Sequence, residues 1–286
     1  MDLKAFIENE INKKIEKDKF SQIDSLSGSN ALLYDGYNFE TEDTDHCPRI
    51  ALLRRSGDIQ EKRQVKSFLS NMHGRLFEDL LRNTILSNSS LKFIQEEEAK
   101  ITIYDQFNNI ILTARPDLII KYEENNYAVE IKTIQSNRTA YQVFIKDKPK
   151  LNALIQLAIY MFGHNIETGY ILYATTTWHS GFAGRQKWNV EPQLKVFNIT
   201  HNKEDDFFYC NGIKTIVSSE KLLHGGIRFL GLIKDDLVPE KPLWRDVYGN
   251  TIPYEGCTYC SFKNICDGRI DSLKEFFSLS REIINE

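Results

Sequence analysis

Residues 109–135, NIILTARPDLIIKYEENNYAVEIKTIQ, carry a two-residue hydrophobic period interrupted by the turn-like Glu123-Glu124-Asn125-Asn126. Side chains that alternate this way point to opposite faces of extended backbone, so the stretch predicts two strands, 109–122 and 126–135, joined as a hairpin. The second strand sets Glu130 and Lys132 at i and i+2, on one face, and Asp117 follows Pro116 on the first strand. Their neighbours Leu118, Ile119, Ile120, Val129 and Ile131 are apolar, which places three ionisable groups on a mostly buried hairpin. Charges buried there are costly unless they are paired or hold a metal ion. Two carboxylates are hard oxygen ligands suited to Mg2+ or Mn2+, and a lysine beside them can orient water or steady charge building on a phosphate. The alternative is a Glu-x-Lys pair on the solvent face of an edge strand.

Working outward, KFIQEEEAKITIYD (92–105) predicts a further strand, and the 3.6-residue period over 60–86 predicts a long helix. Residues 3–19 repeat apolar positions at Leu3, Phe6, Ile7, Ile11 and Ile15, as an amphipathic helix does. Downstream, LNALIQLAIYMFG (151–163) predicts a helix and GYILYAT (169–175) a strand, so the core order is helix, three strands, helix, strand. TWHSGFAGRQKW (177–188) reads as a loop or hairpin, 203–236 as largely helical after an acidic, aromatic start, and 273–284 as a short terminal helix.

With 286 residues the chain can hold two domains or one elaborated α/β domain, and 41% apolar content excludes a wholly disordered or collagen-like chain. No apolar run approaches the roughly 20 residues of a membrane span, and MDLKAFIENEINKKIEK lacks a secretory apolar region, so a cytosolic protein is expected. The net charge of −4 does not mark a basic nucleic-acid-binding domain, but two segments run against it. Arg49–Arg82 and Lys132–Lys150 are each net +4, and only their meeting on one surface would make a phosphate track. Five cysteines, an odd number in a reducing compartment, argue against a disulfide framework. Cys257, Cys260 and Cys266 form C-x2-C-x5-C, one ligand short of a tetrahedral site, so a fourth thiolate must come from far away.

These elements together resemble the PD-(D/E)XK nuclease superfamily. Pro116-Asp117 and Glu130-Ile131-Lys132 stand at its motif positions; GRLFEDLL looks like the RecB-type first motif, with Gly74 and Glu78, and QLAIY like the Q-x3-Y helix motif, with Gln156 and Tyr160. Cys47 in HCPR, with Cys257, Cys260 and Cys266, looks like the iron–sulfur clasp of RecB-family nucleases, including the CRISPR-associated adaptation exonuclease and AddB-type helicase-nucleases. The resemblance covers roughly residues 47–175 and 257–266. It implies a restriction-endonuclease-like α/β core, a mixed sheet flanked by helices, tied by a 4Fe–4S cluster that joins the N- and C-terminal segments.

It further implies that Glu78, Asp117, Glu130 and the Ile131 carbonyl hold Mg2+ or Mn2+. Lys132 would position the attacking water, Gln156 would orient the lysine or a water, and Tyr160 would touch the substrate phosphate. DNA, preferentially single-stranded, is the implied substrate, with exonucleolytic attack; a helicase or integrase protein is the implied partner. The implied division is a helical segment 1–59 carrying Cys47, a nuclease core 60–176, an extension 177–250 of unknown role, and the cluster segment 251–286.

Each assignment has a rival. Four thiolates also suit structural Zn2+. His73 competes with Glu78 for the first motif, His46 neighbours the cluster cysteine, and Cys210 reads as a buried or free thiol. Arg138, Tyr141, Lys146 and Lys148 are candidates for strand contacts. A DNA-end-binding module with a silent nuclease site is the functional alternative. No Walker-type phosphate loop occurs, so any motor is another polypeptide.

Overall fold

The computed structural model describes residues 26–27, 31–42, 47–55, 65–86, 92–93, 100–108 and 110–252. The expected helices 3–19 and 273–284, His46, and the cysteines 257, 260 and 266 lie outside the described residues.

The architecture is mixed α/β around a seven-stranded sheet. The predicted hairpin lies toward one side of it: β7 (Leu118–Tyr122) runs antiparallel to β8 (Asn125–Thr133), with Leu118 opposite Val129 and Tyr122 opposite Asn125. β8 is joined in parallel to β9 (Thr168–Thr175), and the crossover carries a helix, α4 (Leu151–Gly163). A parallel pair requires such a crossover, because its strands cannot be joined by a tight turn. α4 is apolar all round and buried over ten of its residues, including Gln156 and Tyr160, as expected of a helix enclosed between a sheet and further layers. Beyond β9 the sheet continues antiparallel through β12 (Gln193–Asn202), β13 (Phe207–Cys210) and β14 (Ile213–Ser218), and β4 (Lys92–Phe93) forms the other edge.

Among the described residues there are three smaller sheets. β5 (Ile101–Tyr104), β6 (Ile110–Ala114) and β1 (Leu26–Ser27) form one; β2 (Leu33–Tyr34), β3 (Phe39–Thr41) and β15 (Leu243–Trp244) form a second. β10 (His179–Ala183) and β11 (Gln186–Val190) pair as a hairpin. The remaining helices are α1 (Pro48–Arg55), α2 (Val65–Leu86), the short α3 (Asn137–Ala140), which continues as a wider turn to Ile145, and α5 (Ser219–Lys234). α5 lies against β2, where a side chain on Gly225 would come within 2.0 Å of the Leu32 carbonyl oxygen.

Three stretches depart from the sequence reading. Residues 109–122 are two strands, not one: β6 pairs with β5 in a small sheet, whereas β7 pairs with β8 in the large one. The break falls at Arg115-Pro116-Asp117, where proline lacks the N–H that a continuous ladder needs. Likewise 92–105 contributes two separate short strands to different sheets. Residues 203–236 are helical only from Ser219; before it β13 and β14 turn at Asn211-Gly212, both at positive φ (48° and 81°). That dipeptide between alternating apolar residues is a hairpin signal.

Candidate active site

The break at Pro116 delivers Asp117 to the position just before β7, where its carboxylate accepts a hydrogen bond from the Ile131 amide at 2.8 Å. A side-chain bond of this kind takes the place of a ladder bond and fixes the acid opposite β8. On β8, Glu130 is 1% exposed, and the Lys132 ammonium donates to its carboxylate; Lys132 itself is 31% exposed. The i, i+2 prediction therefore holds as geometry. One Glu130 oxygen, Oε2, has no hydrogen-bond partner.

α2 brings Glu78 to the same place. At Gly74 the helix crosses the end of β8 so closely that an added Cβ would lie 3.0 Å from the Thr133 hydroxyl. Glu78 is one turn further along the same face. There burial pushes its pKa up to about 7, with the charge of Asp117 adding to the rise and Lys132 opposing it. Burial likewise pushes Glu130 up to about 8 against the pull of Lys132. For Lys132 the burial penalty is outweighed by its carboxylate neighbours, Glu130 first, and its pKa is raised.

Behind β8, α4 carries Gln156 and Tyr160 one turn apart, as read from the sequence. Burial raises the Tyr160 hydroxyl pKa, and the charges of Glu130 and Asp117 raise it further, so the hydroxyl stays protonated. Tyr160 is 5% exposed, close enough to Glu130 to feel its charge. Gln156 is buried, with its Oε1 lacking a partner. The helix bearing both is anchored at its start by Glu42, which accepts hydrogen bonds from the Leu151 amide at 2.5 Å, from the Gln142 side chain and from Lys150.

An open cleft of about 540 Å³ is lined by Glu78, Asp117 and Ile131 together with Arg75, Asp79, Arg82 and Arg115. The arginines were not read as site residues from the sequence. A signal was present, however: Arg75 and Arg82 stand three before and four after Glu78, hence near its face of α2, and Arg115 immediately precedes Pro116. Among the described residues, no three His, Cys, Asp or Glu side chains converge tightly enough to encircle an ion. Of the other candidates, Lys148 is tied to Asp246 at 2.8 Å, Lys146 lies over the Tyr141 ring, and Cys47 and Cys210 are buried.

No protein-family model and no curated protein matches the chain. Among solved structures it is similar to the crystal structure of SSO0001, with 14% identity and a TM-score of 0.48 over 92% of this chain and 96% of that one. It is also similar to an alkaline exonuclease (LHK-Exo) from Laribacter hongkongensis, with 12% identity and a TM-score of 0.40 over 79% and 91% of the two chains. At these scores, the chemistry has to be read from the site's own geometry. Among the described residues, no helix is long and apolar enough to cross a membrane.

Proposed function

We propose that this protein is a metal-dependent deoxyribonuclease that hydrolyses phosphodiester bonds, acting exonucleolytically on single-stranded DNA in the cytoplasm. The observation that carries the reading is Glu130: a buried carboxyl with a bare oxygen, next to Asp117 and Glu78, paired with a half-buried lysine. A carboxyl pushed up this far ionises when a cation arrives to take its charge. The donor set, oxygen atoms only, fits Mg2+ or Mn2+. Glu78, Asp117, Glu130 and the Ile131 carbonyl would hold the ion or ions, which when bound neutralise phosphate charge and acidify a water.

The chain's own groups supply the rest. Lys132, partly exposed beside Glu130, holds the nucleophilic water or a non-bridging phosphate oxygen. Gln156 offers its unpaired Oε1 to the lysine or to that water, and the protonated Tyr160 hydroxyl keeps Glu130 oriented. Arg75, Arg82 and Arg115 at the cleft wall seat the backbone phosphates.

The cysteine clasp belongs to the same proposal: Cys47 with Cys257, Cys260 and Cys266 would hold a 4Fe–4S cluster. What supports it is that Ile252 donates to the Trp244 carbonyl and Arg245 to that of Thr41, which sets Ile252, five residues before Cys257, near Thr41, six residues before Cys47.

Incubating the protein with labelled single- and double-stranded DNA, with Mn2+ or with EDTA, tests the nuclease reading. Cleavage that needs Mn2+ and is lost in Glu130→Gln and Asp117→Asn is expected. Undiminished cleavage by both folded variants would remove the site from consideration. Binding without cleavage would favour instead a DNA-end-binding subunit of a helicase or integrase assembly.

A further inference from the structure

The hairpin β10–β11 lies outside the proposed catalytic set, yet the fold brings it to the catalytic end of the sheet. β8 and β9 are parallel neighbours, with Lys132 opposite Tyr173 and Thr133 opposite Ala174. The chain therefore leaves β9 at Thr175 beside the place where it leaves β8 just after Lys132. In parallel sheets, ligands gather at this carboxyl end of the strands.

The hairpin is fixed there. The buried His179 ring meets the Asn137 side-chain oxygen at 3.0 Å and the Thr175 hydroxyl at 2.9 Å, which staples β10 to the start of α3. Trp188 packs on Tyr141, with ring centres 5.2 Å apart. With its inner face held by these contacts, the register fixes the outer one: Phe182 is opposite Lys187 and Ser180 opposite Asn189, and Trp178 continues the same alternation. All five residues are exposed, Trp178 at 71% and Phe182 at 73%.

Large aromatics left in water four residues apart on one face of a braced hairpin call for an occupant with flat apolar faces. The charge says which kind. Residues 137–146 and 176–190 contain Arg138, Lys146, Arg185 and Lys187 and no carboxylate, in a chain whose net charge is −4. We infer that the outer face of this hairpin is a platform for single-stranded DNA: Trp178 and Phe182 stack on unpaired bases, while Arg185, Lys187 and Arg138 accompany the phosphates toward the cleft. Stacking of this sort tolerates any sequence, because every base has a π-face, and it selects against duplex, whose bases are already stacked. This inference rests on the nuclease reading for its direction, strand end to cleft, but its binding test does not require cleavage.

The test is fluorescence anisotropy with a labelled oligothymidylate and, separately, a blunt duplex, in EDTA so that nothing is cut. Relative to the intact protein, Trp178→Ala/Phe182→Ala is expected to bind the single strand about 10- to 100-fold more weakly and the duplex within a few-fold. Lys187→Glu, a change at an exposed position, is expected to weaken single-strand binding and to lessen its salt dependence. Equal single-strand affinity in the double variant, with an unchanged thermal midpoint, overturns the inference and leaves the aromatic face to a protein partner. If the double variant fails to fold, undiminished binding by Lys187→Glu overturns it equally. Absence of Mn2+-dependent cleavage by the intact protein would count against the nuclease reading alone.

Discussion

Glu78 and Glu130 stand near pH 7 and pH 8 without a metal, so a cation that binds there must displace protons across the neutral range. Each pH unit below a ligand's pKa costs about tenfold in apparent metal affinity. From about pH 8.5 to about pH 6 the drop should be about 100-fold for Glu130 and about 10-fold more for Glu78, close to 1,000-fold in all. An ordinary carboxylate near 4.5 would leave affinity flat over that range. Calorimetric titration with Mn2+, in two buffers of different protonation enthalpy, reads both the slope and the number of protons released. Glu130→Gln should bind more weakly, release about one proton fewer and show a shallower slope. The metal-free protein should show the opposite linkage. A carboxyl whose folded pKa lies above its unfolded value loses stability as pH rises, because the unfolded chain gives up its proton first. Unfolding free energy should therefore fall between about pH 4.5 and about pH 8, with a ceiling of about 5 kcal/mol from Glu130. Mn2+ affinity that is flat from about pH 6 to about pH 8.5, with no proton release, would refute this account of the site.

Other substitutions probe separate links of the argument. Glu78→Gln should reduce cleavage far more than His73→Ala, and the reverse ranking in a single-turnover assay would show that the glycine-based alignment of the first motif is wrong. Glu42→Gln, which weakens the anchor of α4, should cost about 1–3 kcal/mol in denaturant unfolding and lower activity only as the helix loosens. Gly225→Ala should cost more than 2 kcal/mol, because the new methyl meets the Leu32 backbone and not a yielding side chain. Protein purified anaerobically should be brown and carry about four irons per chain; Cys257→Ala should lose them and Cys210→Ala should keep them, whereas zinc without iron would refute the cluster.

Legibility in the sequence followed the strength of the local period. The β7–β8 hairpin, α4 and β9 could be read because one face of each is uniformly apolar, or all of it is. β12 could not: Leu194 and Val196 face water while Phe197 and Ile199 face the core, so apolar residues fall on both parities and blur the alternation. The strands before α5 were misread because the acidic, aromatic run 204–209 masked the Asn211-Gly212 turn. At the site, Asp117, Glu130 and Lys132 were legible because burying them needs a reason. Glu42 was not, since ETEDTD looks like a solvated acidic run. Its role depends on a helix that begins more than a hundred residues later.

The pairing of β3 with β15 has a consequence for biogenesis. Thr41 and Trp244 are partners in one small sheet, while the strands of the large sheet are drawn from residues 92–218 between them. During vectorial synthesis the large sheet can form from what has already emerged, but the corner must wait until Leu243 and Trp244 are made. Its closure spans about two hundred residues, the kind of non-local contact that forms slowly and late. A ribosome-stalled or truncated product ending before Leu243 would then hold a formed large sheet while Thr41 still lacked its strand partner Trp244.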